Sequence, residues 1–192
     1  MVWPAREITQ LGYVCRNLES TIDWFFRHQG AGPFYVMEVP PDAADYTFHG
    51  EKVTGVTKNR VAFGYRGRNQ FELIESDNPV FDHLRDEREI VFHHCMQMSD
   101  SFERDRAAYE RAGFTTMGTG QMPGVLIHYI DTMAALGHYT ELFDYDAAMR
   151  ETDGAMFRLF EQMYLDAAAW DGSGPVRSLD TLAMQVFGPQ GA

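Results

Sequence analysis

Four side chains in this sequence have the types and placement to hold a divalent cation: Gln10, Glu72, His94 and Glu141. Each sits inside a short run that reads as a β-strand: Ile8-Thr9-Gln10-Leu11-Gly12-Tyr13-Val14, Phe71-Glu72-Leu73-Ile74, Phe92-His93-His94-Cys95-Met96-Gln97-Met98 and Thr140-Glu141-Leu142-Phe143. Side chains alternate between the two faces of a strand. Gln10 is therefore expected to share a face with Gly12 and Val14, His94 with Phe92, Met96 and Met98, Glu72 with Gln70 and Ile74, and Glu141 with Tyr139 and Phe143. A carboxylate in an otherwise apolar strand needs a partner, because a buried unpaired charge is costly and would instead take up a proton. One divalent ion held by all four residues answers both carboxylates at once. Two carboxylates, an imidazole and an amide carbonyl suit zinc, nickel, cobalt, manganese or iron, and do not suit a thiolate-rich structural zinc site.

The elements that would position these residues occur twice. The run around Gln10 leads into a helical stretch closing on Gly30 to Gly32, and the run around His94 leads into one closing on Ala112-Gly113. Each half reads βαβββ, with Gln10 matched to His94 and Glu72 to Glu141; duplication brings two copies of one surface together. In the first half, Asn17 or Ser20 caps the helix, Phe34-Tyr35-Val36-Met37 is a strand, and strands over 60–66 and 70–75 form a hairpin at Gly67-Arg68-Asn69. Between them the polar stretch 40–58 is too long for an ordinary connection and is expected to be a lid or substrate loop. A charged linker over 77–89 carries a short helical turn. The second half runs through a strand over 90–98, a helix starting near Asp100 with Glu103 in a capping box, and strands near 114–118, 124–131 and 138–144. Met156, Phe160, Met163, Tyr164 and Ala167 then mark an amphipathic helix that covers something apolar. The expected fold is α+β: two βαβββ modules, 1–76 and 90–145, forming a cup-shaped mixed sheet, with a C-terminal helical extension over 146–192, all in one compact domain.

Composition narrows the function classes. The chain has 192 residues, 45% hydrophobic, and a formal net charge of −12. Such acidity argues against nucleic acid or an anionic membrane as partner, since both require a basic face. No apolar run reaches the roughly 18 residues of a membrane span, and the segment Met1 to Arg6 lacks the apolar core of a signal peptide. With only Cys15 and Cys95, both inside strands, a cytoplasmic protein with reduced thiols is expected. His93 is expected to point away from His94 and to be structural. Tyr65, Tyr139, His128, His138 and His49 are candidates for the pocket or its loops. Gly118-Thr119-Gly120 lacks the strand-to-helix setting of a phosphate loop.

The runs quoted above, with Gly30-Ala31-Gly32-Pro33-Phe34, Phe71-Glu72-Leu73-Ile74-Glu75, His94-Cys95-Met96 and Tyr139-Thr140-Glu141-Leu142, resemble the vicinal oxygen chelate superfamily over about residues 7–145. That group includes glyoxalase I, methylmalonyl-CoA epimerase, bleomycin-resistance proteins and extradiol dioxygenases. The resemblance implies a metal centre with one ligand from each of four strands, carried over to Gln10, Glu72, His94 and Glu141. It further implies an isomerase, epimerase or lyase that removes a proton from a carbon next to a carbonyl or thioester, with Glu141 or Glu72 as base. The substrate would be a small molecule bearing a carbonyl, a thioester or vicinal oxygens. The Gln, Glu, His, Glu order is similar to that of some glyoxalase I enzymes; epimerases more often have His first, and Gln10 departs from that. Proteins of this group pair modules within or across subunits, so a homodimer is the expected assembly. The alternatives are a metal-free member that binds or sequesters a hydrophobic small molecule, and an extradiol-type iron dioxygenase, whose two-His set is not matched here.

Overall fold

A computed structural model describes residues 8–40, 43–84 and 88–188. The N-terminal segment and Arg85, Asp86 and Glu87 of the charged linker lie outside the described residues. The elements in chain order are β1 (Ile8–Cys15), α1 (Leu18–Trp24) running into a π-helical turn (Phe25–Gln29), β2 (Phe34–Glu38), β3 (Asp45–Phe48), β4 (Glu51–Lys52), β5 (Asn59–Arg66) and β6 (Asn69–Ser76). After α2 (Pro79–Asp82) come β7 (Ile90–Ser99), α3 (Phe102–Arg111), β8 (Thr116–Met122), β9 (Val125–Ile130), α4 (Met133–Leu136) and β10 (Tyr139–Asp144). The chain ends in α5 (Tyr145–Thr152), α6 (Ala155–Ala168), β11 (Val176–Arg177) and α7 (Leu179–Phe187).

All strands among the described residues join one mixed sheet in the order β11-β2-β5-β6-β1-β7-β10-β9-β8-β3-β4. Two four-stranded blocks of like order, β2-β5-β6-β1 and β8-β9-β10-β7, meet where β1 pairs antiparallel with β7. In each block the first strand lies parallel to the last, β1 with β6 and β7 with β10. The four strands that carry the candidate ligands are therefore adjacent at the middle of the sheet. One chain supplies all four. No helix among the described residues is long and apolar enough to cross a membrane.

Helices pack on both faces of the sheet. Leu18, Ile22 and Phe25 of the α1 segment bury against Phe34, Phe71 and Leu73 on the outer face, and Phe102 of α3 buries against Ile130 and Leu142. Asn17 is the α1 cap, its Oδ1 accepting from Ser20 N at 2.8 Å. The expected capping box at α3 does not form: Ser101 is the N-cap and makes no side-chain bond. Ser99 Oγ instead accepts from Ser101 N and donates to Asp105. The inner face is covered by α5 and α6, with Phe157, Phe160 and Met163 buried in the principal core beside Phe63, Ile74, Met98, Tyr129 and Phe143. At about 1.5–3 kcal/mol for each such side chain, this contact fixes the C-terminal extension as part of the fold.

Two further features differ from the sequence-based expectation. The 40–58 stretch is not a free loop: β3 leaves the first half and pairs antiparallel with β8 of the second, turning back through β4. The glycines of β8 make room for it, since a Cβ on Gly118 would lie 3.0 Å from Thr47 O and one on Gly120 would lie 2.8 Å from the Tyr46 ring. The second feature is a β-bulge. Gly12 pairs with His94 but Tyr13 pairs with Phe92, so His93 is the extra residue. A bulge re-aims side chains: Phe92 goes to the outer face against Tyr13 and His138, while His93 turns in beside His94.

Candidate metal centre

Strand register sets the centre out in two inward rows. Gly12 lies opposite both Glu72 and His94, and Met96 lies opposite both Gln10 and Glu141. The missing side chain at Gly12 is what admits the His94 ring. A Cβ there would stand 2.0 Å from Cε1, 2.3 Å from Nε2 and 2.4 Å from Nδ1 of that ring. The ring thus lies flat across β1, with Nε2 placed between the carboxylates of the flanking strands. Glu141 Oε2 is 2.7 Å from Nε2, Glu72 Oε2 is 3.1 Å away and Gln10 Oε1 is 3.4 Å away.

Charge and burial conflict at this point. His94 is fully buried, and Glu141 nearly so. Burial disfavours the imidazolium, but the two carboxylates outweigh it and push the His94 pKa up to about 10. Burial also raises the Glu72 carboxyl, with the His94 charge opposing it and the Glu141 charge adding to it. Behind His94 a second imidazole fixes the tautomer. Val80 O, on α2, lies 3.0 Å from His93 Nε2 and can only accept, so that nitrogen carries the proton. Burial and the neighbouring His94 hold His93 well below the ordinary imidazole range, and it is neutral. Its bare Nδ1 therefore accepts the His94 Nδ1–H at 2.9 Å. His94 Nε2 is left facing the carboxylates, which is the arrangement of a metal-binding histidine with its other nitrogen engaged behind it.

The donor set fits a divalent ion. Donor atoms of Glu72, His94 and Glu141 all lie within 4.8 Å of one another. An ion bound at about 2.1 Å holds two donors about 3.0 Å apart at a right angle and about 3.4 Å apart at the tetrahedral angle, close to the separations found here. Glu141 Oε2 is buried, with His94 Nε2 2.7 Å away and no hydrogen-bond partner of its own. A cation would satisfy that oxygen.

Above the donors is a cavity of about 110 Å³. Gln10, Glu72 and Glu141 form its polar floor. Tyr46, Asn59 and Tyr129 are its other polar residues, and the walls are apolar, including Met37, Phe63, Phe81, Met96, Met122, Met156 and Phe160. Burial, with the carboxylates adding to it, pushes the Tyr46 hydroxyl up to about 12 and raises that of Tyr129. Both phenols are therefore neutral donors at physiological pH.

The structure brings Gln10, Glu72, His94 and Glu141 together. Tyr65 and Tyr139 lie inside the cup but face away from the cavity: Tyr65 bonds Phe160 O and Gln70, and Tyr139 bonds His83 Nε2 at 2.8 Å. The remaining three do not line the cavity. His128 packs on Phe102 beneath α3, His138 lies over Phe92 and Cys95 on the outer face, and His49 stacks on Phe48 in the β3–β4 turn. Period-two alternation explains the first two, because His128 lies opposite Leu142, an outward position, and His138 is in phase with Leu142 along the chain. Sequence reasoning missed Gly12, His93, Tyr46 and Gln70. A glycine at mid-strand is a signal for close approach; the others carry no local mark.

Comparison with known proteins bears on the fold. No protein-family model matches the chain, and no curated protein is matched by sequence. Among solved structures, a hypothetical protein from Bacillus halodurans C-125 superposes with a TM-score of 0.54 at 13% identity, covering 73% of this chain and 95% of that one. A methylmalonyl-CoA epimerase in complex with methylmalonyl-CoA and NH4+ gives 0.52 at 15% identity, over 76% and 98%. The methylmalonyl-CoA epimerase of Mycobacterium tuberculosis gives 0.51 at 16% identity, over 75% and 92%. At these identities the similarity establishes a shared fold and nothing finer.

Proposed function

We propose that this chain is a metal-dependent enzyme that removes a proton from a carbon next to a carbonyl or thioester, as an isomerase, epimerase or lyase. The observation that carries this reading is the convergence of two carboxylates, an imidazole nitrogen and an amide oxygen on one point at the floor of an apolar cavity. Glu72, His94, Glu141 and Gln10 would hold the ion. Once bound, it supplies positive charge opposite the oxygen that becomes negative as the proton leaves. The apolar walls exclude water and strengthen that interaction.

The base falls to Glu72. Its side chain is 14% exposed, against 6% for Glu141, so it is the more accessible to a substrate in the cavity. Glu72 takes the proton, the C–H electron pair forms a carbon–carbon double bond as the carbonyl π pair moves onto oxygen, and reprotonation at carbon reverses both shifts. The similar folds include epimerases, one of them complexed with a coenzyme A thioester; this supports thioesters as the first substrates to try.

Two measurements test the reading. Elemental analysis of wild type should find about one divalent ion per chain, lost in His94→Ala. In deuterium oxide, a panel of thioesters and 2-oxo compounds should exchange an α-hydrogen with the metal-loaded protein and not after chelation. Metal-loaded protein that exchanges nothing, or wild type with no metal, removes the proposal. A metal-free binding protein is favoured by one observation: with no ion present, the imidazolium already lies against both carboxylates. On that reading, Glu141→Gln leaves ligand affinity unaltered.

A further inference from the structure

The C-terminal helix α6 reaches the metal centre through a buried chain of hydrogen bonds. Tyr65 Oη donates to the main-chain carbonyl of Phe160 at 3.1 Å, and Gln70 Nε2 donates to Tyr65 Oη at 2.8 Å. Gln10 Nε2 donates to Gln70 Oε1 at 2.9 Å, and Gln10 Oε1 lies 3.4 Å from His94 Nε2. Tyr65, Gln70 and Gln10 are each at most 3% exposed, so water offers no competing partner.

The direction of this chain follows from its far end. A main-chain carbonyl has no proton to give. Tyr65 therefore uses its single hydroxyl proton on Phe160 and can only accept from Gln70. Gln70 must turn its NH2 toward Tyr65 and its oxygen toward Gln10. Gln10 must meet that oxygen with an N–H, which leaves its own carbonyl oxygen on the side of His94, Glu72 and Glu141. Flipping either amide would set donor against donor or acceptor against acceptor, leaving buried polar groups unpaired. A carboxylate ligand presents two equivalent oxygens, but an amide presents a donor oxygen or an NH2 that repels a cation. Glutamine as a ligand thus requires orientation.

We propose that Gln70 and Tyr65 are positioning residues that hold the Gln10 amide with its oxygen toward the metal centre, so that the C-terminal extension, through Phe160, is part of that centre. This rests on the metal-dependent reading above. The test uses the full chain and cobalt(II) alone as probe, with affinity from chelator competition and ligand set from the visible absorption spectrum. Gln70→Leu should weaken cobalt binding about 10- to 100-fold, the usual range for residues that orient metal ligands. Its spectrum should match that of Gln10→Leu, and the double variant should bind no more weakly than Gln10→Leu alone. If Gln70→Leu fails to fold, Gln70→Met and Tyr65→Phe carry the same reading. Wild-type affinity and spectrum in a folded Gln70→Leu protein overturn the relay and leave the metal centre standing. Wild type that takes up no cobalt overturns both.

Discussion

Gly12→Ala is the smallest change expected to dismantle the centre. The Gly12 backbone does not occupy the left-handed region, so alanine meets no conformational strain there. The conflict is with the His94 ring alone: the new Cβ would lie 2.0–2.4 Å from three ring atoms, against a comfortable contact of about 3.5–4.0 Å. No shift of a few tenths of an ångström relieves that. The ring must rotate away, breaking its 2.9 Å bond to His93 and leaving Glu72 and Glu141 facing each other without a cation. Overpacking costs about 1–3 kcal/mol. Removing the partner of a buried charge costs about 3–5 kcal/mol, an upper bound because one carboxylate can take up a proton. A loss of about 2–5 kcal/mol is expected, which at about 2–4 °C per kcal/mol lowers Tm by about 4–20 °C. Cobalt affinity should fall more than about 100-fold, beyond the usual effect of a residue that only orients a ligand. Thermal melts and chelator competition provide both readouts. Repeating the substitution in a His94→Ala background decides the cause, because there the Cβ has no ring to meet and the cost should shrink to about 0.5 kcal/mol or less. An equal cost in both backgrounds, or wild-type cobalt binding by Gly12→Ala, refutes the proposed arrangement.

Three further predictions follow from the same geometry. With no ion bound, the His94 pKa of about 10 lies above the unfolded-chain value of about 6.5. Its stabilisation is therefore complete below the lower value and lost as pH rises through the upper one. Glu72, also raised by burial, acts in the same direction. Melts of chelated protein should accordingly fall toward alkaline pH, and cobalt, which must displace the His94 proton, should bind about tenfold more tightly per pH unit between about pH 7 and 9; a flat profile would mean that His94 is already neutral. His93→Phe removes the acceptor for His94 Nδ1–H and should weaken cobalt binding about 10- to 100-fold, whereas unchanged affinity would show that the tautomer needs no support. Phe160→Ala removes a cavity wall that packs on Phe63 at 5.1 Å. It should cost about 3–5 kcal/mol in urea unfolding and admit larger ligands; a cost below about 1 kcal/mol would mean that α6 is not seated as described.

The sequence by itself determined the repeated βαβββ order, the α+β class and the inward faces of β1, β6 and β10. These are local properties: alternate burial is carried by neighbours two residues apart, Glu72 and Glu141 sit on stretches paired without a register shift, and Gln10 keeps its face relative to Gly12 although the pairing with β7 shifts between Ile8 and Gln10. Only the tertiary structure decided what depends on a partner strand. The bulge that turns His93 inward arises from pairing between β1 and β7, and residues 90–98 alone carry no sign of it. The 40–58 stretch reads as a polar loop until β8, with Gly118 and Gly120, is present to receive β3 and bring Tyr46 to the cavity. Gly12 acquires its meaning from a ring on the adjacent strand, and Gln70 from a carbonyl on α6, far away in sequence. Periodicity is written along the chain, but register, bulges and hydrogen-bond direction are settled between segments, and these are what turn four polar residues into one centre.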